Sequence, residues 1–334
     1  MDTFILLLTL IQVISTSKVV VFSGYQNTRD FVVQTEVLDL TDPINTCQNL
    51  PNFPVEIYGA TSGLIEVLNR NGALVCGGTY FLEVEPRCYA IFPDATTVIG
   101  MSIHRAYPAS VTINKTNLWV TGGLTYGKTL ETLYQVLSTT DVIDAQYKTH
   151  TPGPELPQKL FGHCALSINQ QEVMMVGGYQ GDTIWEAKST STTHIYHFEN
   201  GWRKGPNMNA ARADLACSIF TSQSNQYVVV TGGVNDRGYL SSTELFSLVD
   251  NQWLSGPNLP LKLAAHSMVS LLTKVYVIGG LTPGSGPLGV SQSKIYAMDQ
   301  AMDQWMVLEQ KLSVARYYFT ALTVPDSMVS CTQK

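Results

Sequence analysis

Arginines and histidines recur along the chain at positions that could form a binding site. They are Arg105, Arg212, Arg316, His104, His163 and His266. A guanidinium can hold a carboxylate through two parallel hydrogen bonds, so arginines brought together would bind an anionic ligand. The alternative is that each side chain bonds neighbouring backbone carbonyls and only stabilises packing. The elements that position these residues decide between the two.

A segment ending in two glycines recurs throughout the sequence. The instances are ALVCGG, LWVTGG, VMMVGG, VVVTGG and VYVIGG, and VVVFSG is a sixth with Ser23 in place of the first glycine. The intervals are 54, 45, 55, 55 and 47 residues. An apolar segment precedes each of the last three pairs, a Tyr- or Phe-containing segment follows most pairs, and Trp202, Trp253 and Trp305 lie further on. Four short strands per unit are typical of radially repeated antiparallel sheets.

This combination of motifs resembles the kelch repeat, whose period is about 50 residues. The resemblance covers nearly all of residues 18–334 and implies an all-β, six-bladed kelch-type β-propeller forming a single domain. The chain starts with a second strand, KVVVFSG, and ends with a segment, 315–324, that is similar to a first strand. We therefore expect the C-terminal segment to supply the innermost strand of the N-terminal blade and to close the ring.

In such a propeller two kinds of connection share the upper face. They are the loops after each glycine pair and the links, which join the fourth strand of one blade to the first strand of the next. These loops vary in length, and variable loops on a rigid scaffold are common binding surfaces. Asp236 and Arg237 lie in one of them, and the six arginines and histidines would line the mouth of the central channel. In intracellular kelch adaptors, similarly placed arginines hold acidic peptides, so the resemblance implies an anionic-ligand site here.

The N-terminus predicts export. Residues 1–17 contain an 11-residue apolar stretch, too short to span a membrane, followed by Ser15 and Ser17 at signal-peptidase spacing. The alternative is a buried strand that begins the fold. Asn114 opens an N-glycosylation sequon in the turn between a first and a second strand, on the lower face. We expect a secreted, monomeric glycoprotein.

The six cysteines permit disulfides in an oxidising compartment. Cys76 and Cys88 would face each other across the hairpin of one blade, and a bridge between Cys47 and Cys331 would fasten the closed ring. Cys164 and Cys217 fall on the inner strands of adjacent blades, where we expect free buried thiols.

The function that fits best is a binding module for a protein or glycan. The formal net charge of −6 and the absence of basic runs exclude a nucleic-acid surface. No nucleophile elbow, phosphate loop or HExxH motif occurs, and we expect no cofactor and no metal. The alternative is a secreted kelch-fold enzyme, similar to copper radical oxidases or sialic acid mutarotases.

Overall fold

All regular structure is β within the residues that a computed structural model of the chain describes. The described residues are 16–27, 30–42, 46–47, 50–80, 83–126, 134–222, 225–284, 289–329 and 331–332. Nearly all of the predicted signal segment lies outside them. The strands are short because a turn follows each after two to seven residues.

Five antiparallel sheets of four strands follow one another along the chain, each with its strands paired in sequence order. We number them blades 2 to 6. Blade 2 is Thr61–Val67, Arg70–Cys76, Arg87–Phe92 and Ala95–Gly100; blade 3 is Ala109–Thr112, Asn117–Thr121, Thr140–Asp144 and Thr149–Pro152; blade 4 is Cys164–Ser167, Glu172–Val176, Thr193–His197 and Gly201–Lys204; blade 5 is Ala216–Ser222, Asn225–Thr231, Thr243–Ser247 and Gln252–Ser255; blade 6 is Ser267–Leu271, Lys274–Ile278, Lys294–Met298 and Met306–Lys311.

Blade 1 combines the two ends of the described chain. Its innermost strand is Thr320–Pro325, which pairs antiparallel with Thr16–Phe22, and Glu36–Leu38 follows on the outside. Thr46–Cys47 pairs with Cys331–Thr332, and a disulfide joins Cys47 to Cys331 there. The innermost strand contacts those of blades 6 and 2, so the inner strands form a closed circle.

Shorter strands form the connections on the upper face. They are Thr79–Tyr80 with Glu83–Val84, Leu124–Tyr126 with Tyr134–Val136, Leu160–Phe161 with Tyr179–Gln180 and Lys188–Ser189, Val234–Asn235 with Gly238–Tyr239, and Leu281–Thr282 with Val290–Ser291. These pairings stiffen the post-glycine loops.

The core lies between neighbouring blades. Second strands are continuous apolar runs because neighbouring blades cover both of their faces, and Val228, Val229 and Val230 are fully buried. Trp253 donates its indole N–H to the carbonyl of Pro206 in the preceding blade, at 2.9 Å. Trp305 does the same to Pro257, at 3.1 Å. The Trp and Gly-Pro-Asn motifs therefore join consecutive blades.

Two disulfides form as expected, and the third corrects an expectation. Cys76 and Cys88 are bonded across the hairpin of blade 2. The prediction of free thiols at Cys164 and Cys217 was wrong, because these residues form a disulfide between the inner strands of blades 4 and 5. Their Cα atoms are 6.1 Å apart, within the range that a disulfide spans.

Six backbone hydrogen bonds close a second circle on the upper face, where each link enters its inner strand. One residue per blade, which we call a ring position, donates its N–H to the carbonyl of the ring position before it, at 2.7 to 3.0 Å. The ring positions are Gly59, Tyr107, Gly162, Asp214, Ala265 and Tyr318. All six have φ between 50° and 67°, the left-handed region.

Candidate functional site

The arginines predicted to bind a ligand are fully buried. Arg212 donates to the carbonyls of Gly232 and Ser242, at 2.8 and 3.1 Å, and to the carboxylate of Glu244, at 2.7 Å. Arg105 makes the equivalent contacts in blade 3, with Asp141 at 3.0 Å. Arg316 pairs with Glu36 in blade 1.

The prediction that these arginines clamp an anionic ligand was therefore wrong. Each guanidinium is already neutralised by an internal carboxylate and surrounded by carbonyl oxygens, so none is presented to the channel. The alternative, in which they stabilise packing, is the arrangement found. The carboxylates come from third strands, far from the arginines in sequence, so their partnership could not be seen in local motifs.

The three histidines separate into two environments. His163 and His266 are buried, and their Nε2 atoms bond Thr121 and Thr231 of the preceding blades, at 2.9 and 2.8 Å. Burial lowers the pKa of each imidazole to about 3, so both are neutral near pH 7. His104 is exposed on the upper face.

The remaining predicted residues lie where the repeat places them. Asp236 and Arg237 are exposed in the upper loop of blade 5. Asn114 is exposed in the lower turn of blade 3, where its side-chain oxygen accepts the backbone N–H groups of Thr116 and Asn117.

A cavity of about 110 Å³ lies on the propeller axis, and we call it the axial cavity. It is lined by each ring position and the residue that follows it, so all six blades contribute. The lining is Gly59, Ala60, Tyr107, Pro108, Gly162, His163, Asp214, Leu215, Ala265, His266, Tyr318 and Phe319.

The ring positions alternate in size around the cavity. Blades 1, 3 and 5 contribute Tyr318, Tyr107 and Asp214, whereas blades 2, 4 and 6 contribute Gly, Gly and Ala. A Cβ on Gly59 would lie 2.8 Å from the Tyr107 ring, and one on Gly162 would lie 2.7 Å from Asp214 Oδ1. The small residues thus make room for the large ones. Tyr and Asp side chains carry a steric cost at positive φ. Residues in such strained backbone conformations are frequent at functional sites.

Asp214 is the charged ring position. Its Oδ2 accepts the Tyr318 hydroxyl at 2.8 Å, and the Tyr179 phenol also acts to lower the pKa of the carboxyl. Burial raises the pKa of Asp214 to about 6, while both phenols oppose the rise. The arrangement holds a carboxylate on the axis with only neutral hydrogen-bond donors around it.

Aromatic side chains cover the upper face around the axis. A connected set of rings, with centroids 4.8 to 6.5 Å apart, reaches from blade 1 across the axis to blade 4. We call it the aromatic patch. It consists of Tyr25, Phe31, Tyr58, Tyr80, Tyr107, Phe161, Tyr179, Tyr317 and Tyr318. Only Phe161 among them is fully buried.

A larger groove of about 700 Å³ lies on the same face beside the aromatic patch. His104, Tyr80 and Tyr126 line it together with the acidic residues Glu83 and Glu85. Glu85 is paired with Arg87. Of the three predicted histidines, His104 is the one exposed on the upper surface.

Sequence reasoning missed Asp214 and the aromatic patch as parts of the site. A signal was present, because the ring position follows the buried arginine by two residues in RAY, RAD and RYY. Within the described part of the chain, no three His, Cys, Asp or Glu side chains are grouped as metal ligands would be. None of the described segments is a helix of the length and apolarity that a membrane crossing needs.

Comparison with known proteins gives matches to one family. Residues 221–260 match the Kelch motif. Kelch-like protein 40 of Mus musculus is 30% identical over 128 residues, which are 37% of this chain and 19% of that protein. Kelch-like protein 36 of Bos taurus is 24% identical over 207 residues, 61% of this chain and 32% of that protein.

The structural comparison covers more of the molecule. The solved structure of YjhT superimposes with a TM-score of 0.67 at 15% identity, covering 86% of this chain and 97% of that one. The chain spans between a fifth and a third of the length of the curated relatives named above, whereas it matches YjhT nearly end to end. The chain carries a Kelch motif and has the fold of a kelch-type β-propeller.

Proposed function

We propose that the protein is a secreted interaction module that binds a protein or glycan partner through its upper face. The aromatic patch carries this proposal. Ten of the 16 tyrosines lie on this face, at residues 25, 58, 80, 107, 126, 134, 179, 239, 317 and 318. Tyrosine and tryptophan dominate the energetics of protein interfaces because they bury a large area at a small cost in conformational entropy.

The rigidity of the support favours binding. The patch rests on ring positions that are hydrogen-bonded to each other, and the post-glycine loops are paired as short strands. Trp185, 74% exposed in the upper loop of blade 4, adds a second anchor beside the patch. A preformed surface loses little entropy when it binds a partner.

The axial cavity is too small to be the substrate pocket of the enzyme alternative. Its volume of about 110 Å³ is well below the range of about 300 to 1,000 Å³ usual for small-molecule substrate pockets. A sugar ring would have to occupy the aromatic patch or the groove instead. This location again makes the upper face a recognition surface.

Export is part of the proposal. All six cysteines are joined in three disulfides, which is the state expected in an oxidising compartment. Asn114 is exposed on the lower face, where a glycan would leave the aromatic patch free. Expression in a secreting eukaryotic cell should deliver the protein to the medium, and Asn114→Gln should remove an endoglycosidase-sensitive mass. Retention of the unglycosylated wild type in the cytosol would refute export.

The binding proposal is tested with exposed aromatic residues on opposite faces. The purified protein is screened against arrays of extracellular proteins and of glycans, and each hit is titrated with variants. Trp185→Ala and Tyr80→Ala should each weaken binding at least tenfold. Tyr147→Ala is the control, because Tyr147 is 72% exposed in the lower turn of blade 3. A partner lost equally with Tyr147→Ala, or no partner on either array, would contradict the upper-face proposal.

A further inference from the structure

Asp214 differs from the buried carboxylates of this protein. Among the described residues, every buried acidic side chain has a basic partner within 4 Å. The pairs are Glu36 with Arg316, Asp39 with Lys18, Glu85 with Arg87, Asp141 with Arg105 and Glu244 with Arg212. Asp214 is half-buried in the wall of the axial cavity; it has no ion pair in the described chain, and its carboxylate accepts the Tyr318 hydroxyl.

The same cavity offers further acceptors. His163 and His266 line it, each is 6% exposed, and the Nδ1 atom of each has no hydrogen-bond partner in the described chain. The Thr121 hydroxyl donates to the carbonyl of Ala109, so Nε2 of His163 carries the proton and donates to Thr121. The Nδ1 atom of His163 therefore presents a lone pair.

A small cation with N–H donors would complement the acceptors that line this cavity. The Tyr318 phenol uses one of the roughly four lone-pair positions of the Asp214 carboxylate, so acceptor capacity remains. The rings of Tyr107 and Tyr318 lie 4.9 Å apart at the cavity, and aromatic faces attract organic cations. Calcium and magnesium prefer shells of oxygen ligands, which one carboxylate cannot supply.

We propose that the axial cavity binds one primary alkylammonium group, with Asp214 as its counter-ion and the imidazoles of His163 and His266 as acceptors. The volume of about 110 Å³ suits an ammonium head and a short alkyl stem. The compact point charge of an ammonium also suits a single carboxylate better than the planar fork of a guanidinium. This site needs no macromolecular partner and so goes beyond the proposed interaction function.

The test is an NMR titration of the labelled full-length protein with n-butylammonium chloride, with sodium chloride added to the reference at equal ionic strength. Wild type should show saturable shifts at residues of the axial cavity. Asp214→Asn should weaken binding at least tenfold, and asparagine tolerates positive φ, so the backbone is retained. Asp303→Asn, an exposed aspartate on the lower face, carries the same charge change and should bind within twofold of wild type.

Two further probes answer two separate questions. The first is whether the charge or the alkyl stem is recognised, and the second is whether the ammonium comes from a lysine side chain or from a free amine. 1-Butanol, the neutral analogue, should not produce the cavity shifts. Nα-acetyl-lysine methylamide binding as tightly as butylammonium would assign the site to a lysine side chain of a partner, and binding of butylammonium alone would assign it to free amines. Equal affinity of wild type and Asp214→Asn, equal shifts with 1-butanol, or no saturable shift in wild type would overturn the proposal. Thermal unfolding of each variant verifies the fold.

Discussion

The three buried arginines stabilise the fold, because each of them neutralises a buried carboxylate. Arg212 satisfies two carbonyl oxygens of its blade and the carboxylate of Glu244, which in turn accepts the backbone N–H groups of Asn209 and Ala210. Removing one member of the ion pair leaves the other charge buried without a counter-ion, which costs more than the pair contributes.

Arg212→Met should destabilise the fold by about 3–5 kcal/mol, because the Glu244 carboxylate stays buried and unpaired. Urea denaturation followed by tryptophan fluorescence measures the loss. Arg212→Met combined with Glu244→Gln should recover part of the stability, since the charge is removed. The matched control is Arg237→Met, an exposed position expected to change stability by less than about 0.5 kcal/mol. Equal losses at both arginines would contradict the internal role.

Asp214 should make the fold less stable at neutral pH than a neutral side chain would. Its pKa in the fold, about 6, is above the ordinary 3.8, so the folded state binds the proton more tightly than the unfolded chain. The penalty is absent below about pH 4, grows as the pH rises towards 6 and is complete above that. The neighbouring titratable groups are phenols, including Tyr179 and Tyr318, and neutral imidazoles.

Asp214→Asn should therefore raise the unfolding free energy at pH 7.5 by about 2–3 kcal/mol and change it little at pH 3.5. Urea titrations of both proteins at the two pH values measure the difference. A destabilised variant at pH 7.5 would show that Asp214 has a stabilising partner. A gain in stability on removing the charge is typical of a residue retained for binding.

At the level of the blade, each glycine pair fastens one sheet to the next. The second glycine donates its N–H to a carbonyl of the following link, as Gly178 does to Arg212 at 2.9 Å and Gly233 to Leu263 at 2.8 Å. Both glycines of every pair have positive φ. A Cβ on Gly177 would lie 2.6 Å from the carbonyl oxygen of Arg212. The pair thus combines a backbone conformation and a close approach that other residues tolerate poorly.

Two alanine substitutions in blade 4 separate these effects. Gly201 has φ of 76° and open space around it, so Gly201→Ala should cost about 1–2 kcal/mol from backbone strain alone. Gly177→Ala adds a clash with the next blade and should cost at least about 3 kcal/mol. Chemical denaturation of both variants gives the comparison, and equal costs would show that close approach contributes nothing.

For the molecule as a whole, the three disulfides close loops of very different length. Cys47–Cys331 spans 284 residues, Cys164–Cys217 spans 53 and Cys76–Cys88 spans 12. In the chain-entropy account, a bridge that closes a longer loop restricts the unfolded chain more.

Replacing each cystine by two alanines should destabilise the protein in that order, with about 3 kcal/mol between the extremes. Denaturation midpoints of the three double variants under identical conditions provide the measurement. Equal losses would show that packing around each bridge outweighs chain entropy. A larger loss for the hairpin bridge than for the closing bridge would contradict the entropic account.

The sequence predicts the propeller because every blade needs the same backbone conformations, and the residue types that allow them recur at the same positions of each repeat. The glycine pairs mark the second strands, and Trp202, Trp253 and Trp305 mark the fourth strands of blades 4 to 6. Side-chain partnerships are harder to predict, because Arg105 and Asp141 are distant in sequence and meet only after the blade has folded. Cys164 and Cys217 were misjudged for the same reason, since the distance between adjacent inner strands has no signal in the chain.

The circle of hydrogen bonds through the ring positions has an electrical consequence. Each ring position contributes its N–H and its C=O from two consecutive peptide groups, each with a dipole of about 3.5 D, and the repetition around the axis makes their in-plane components cancel. The backbone therefore contributes little in-plane field at the centre. The sign of the potential there is set by side chains, and a single carboxylate, Asp214, makes the centre of the propeller negative above its pKa.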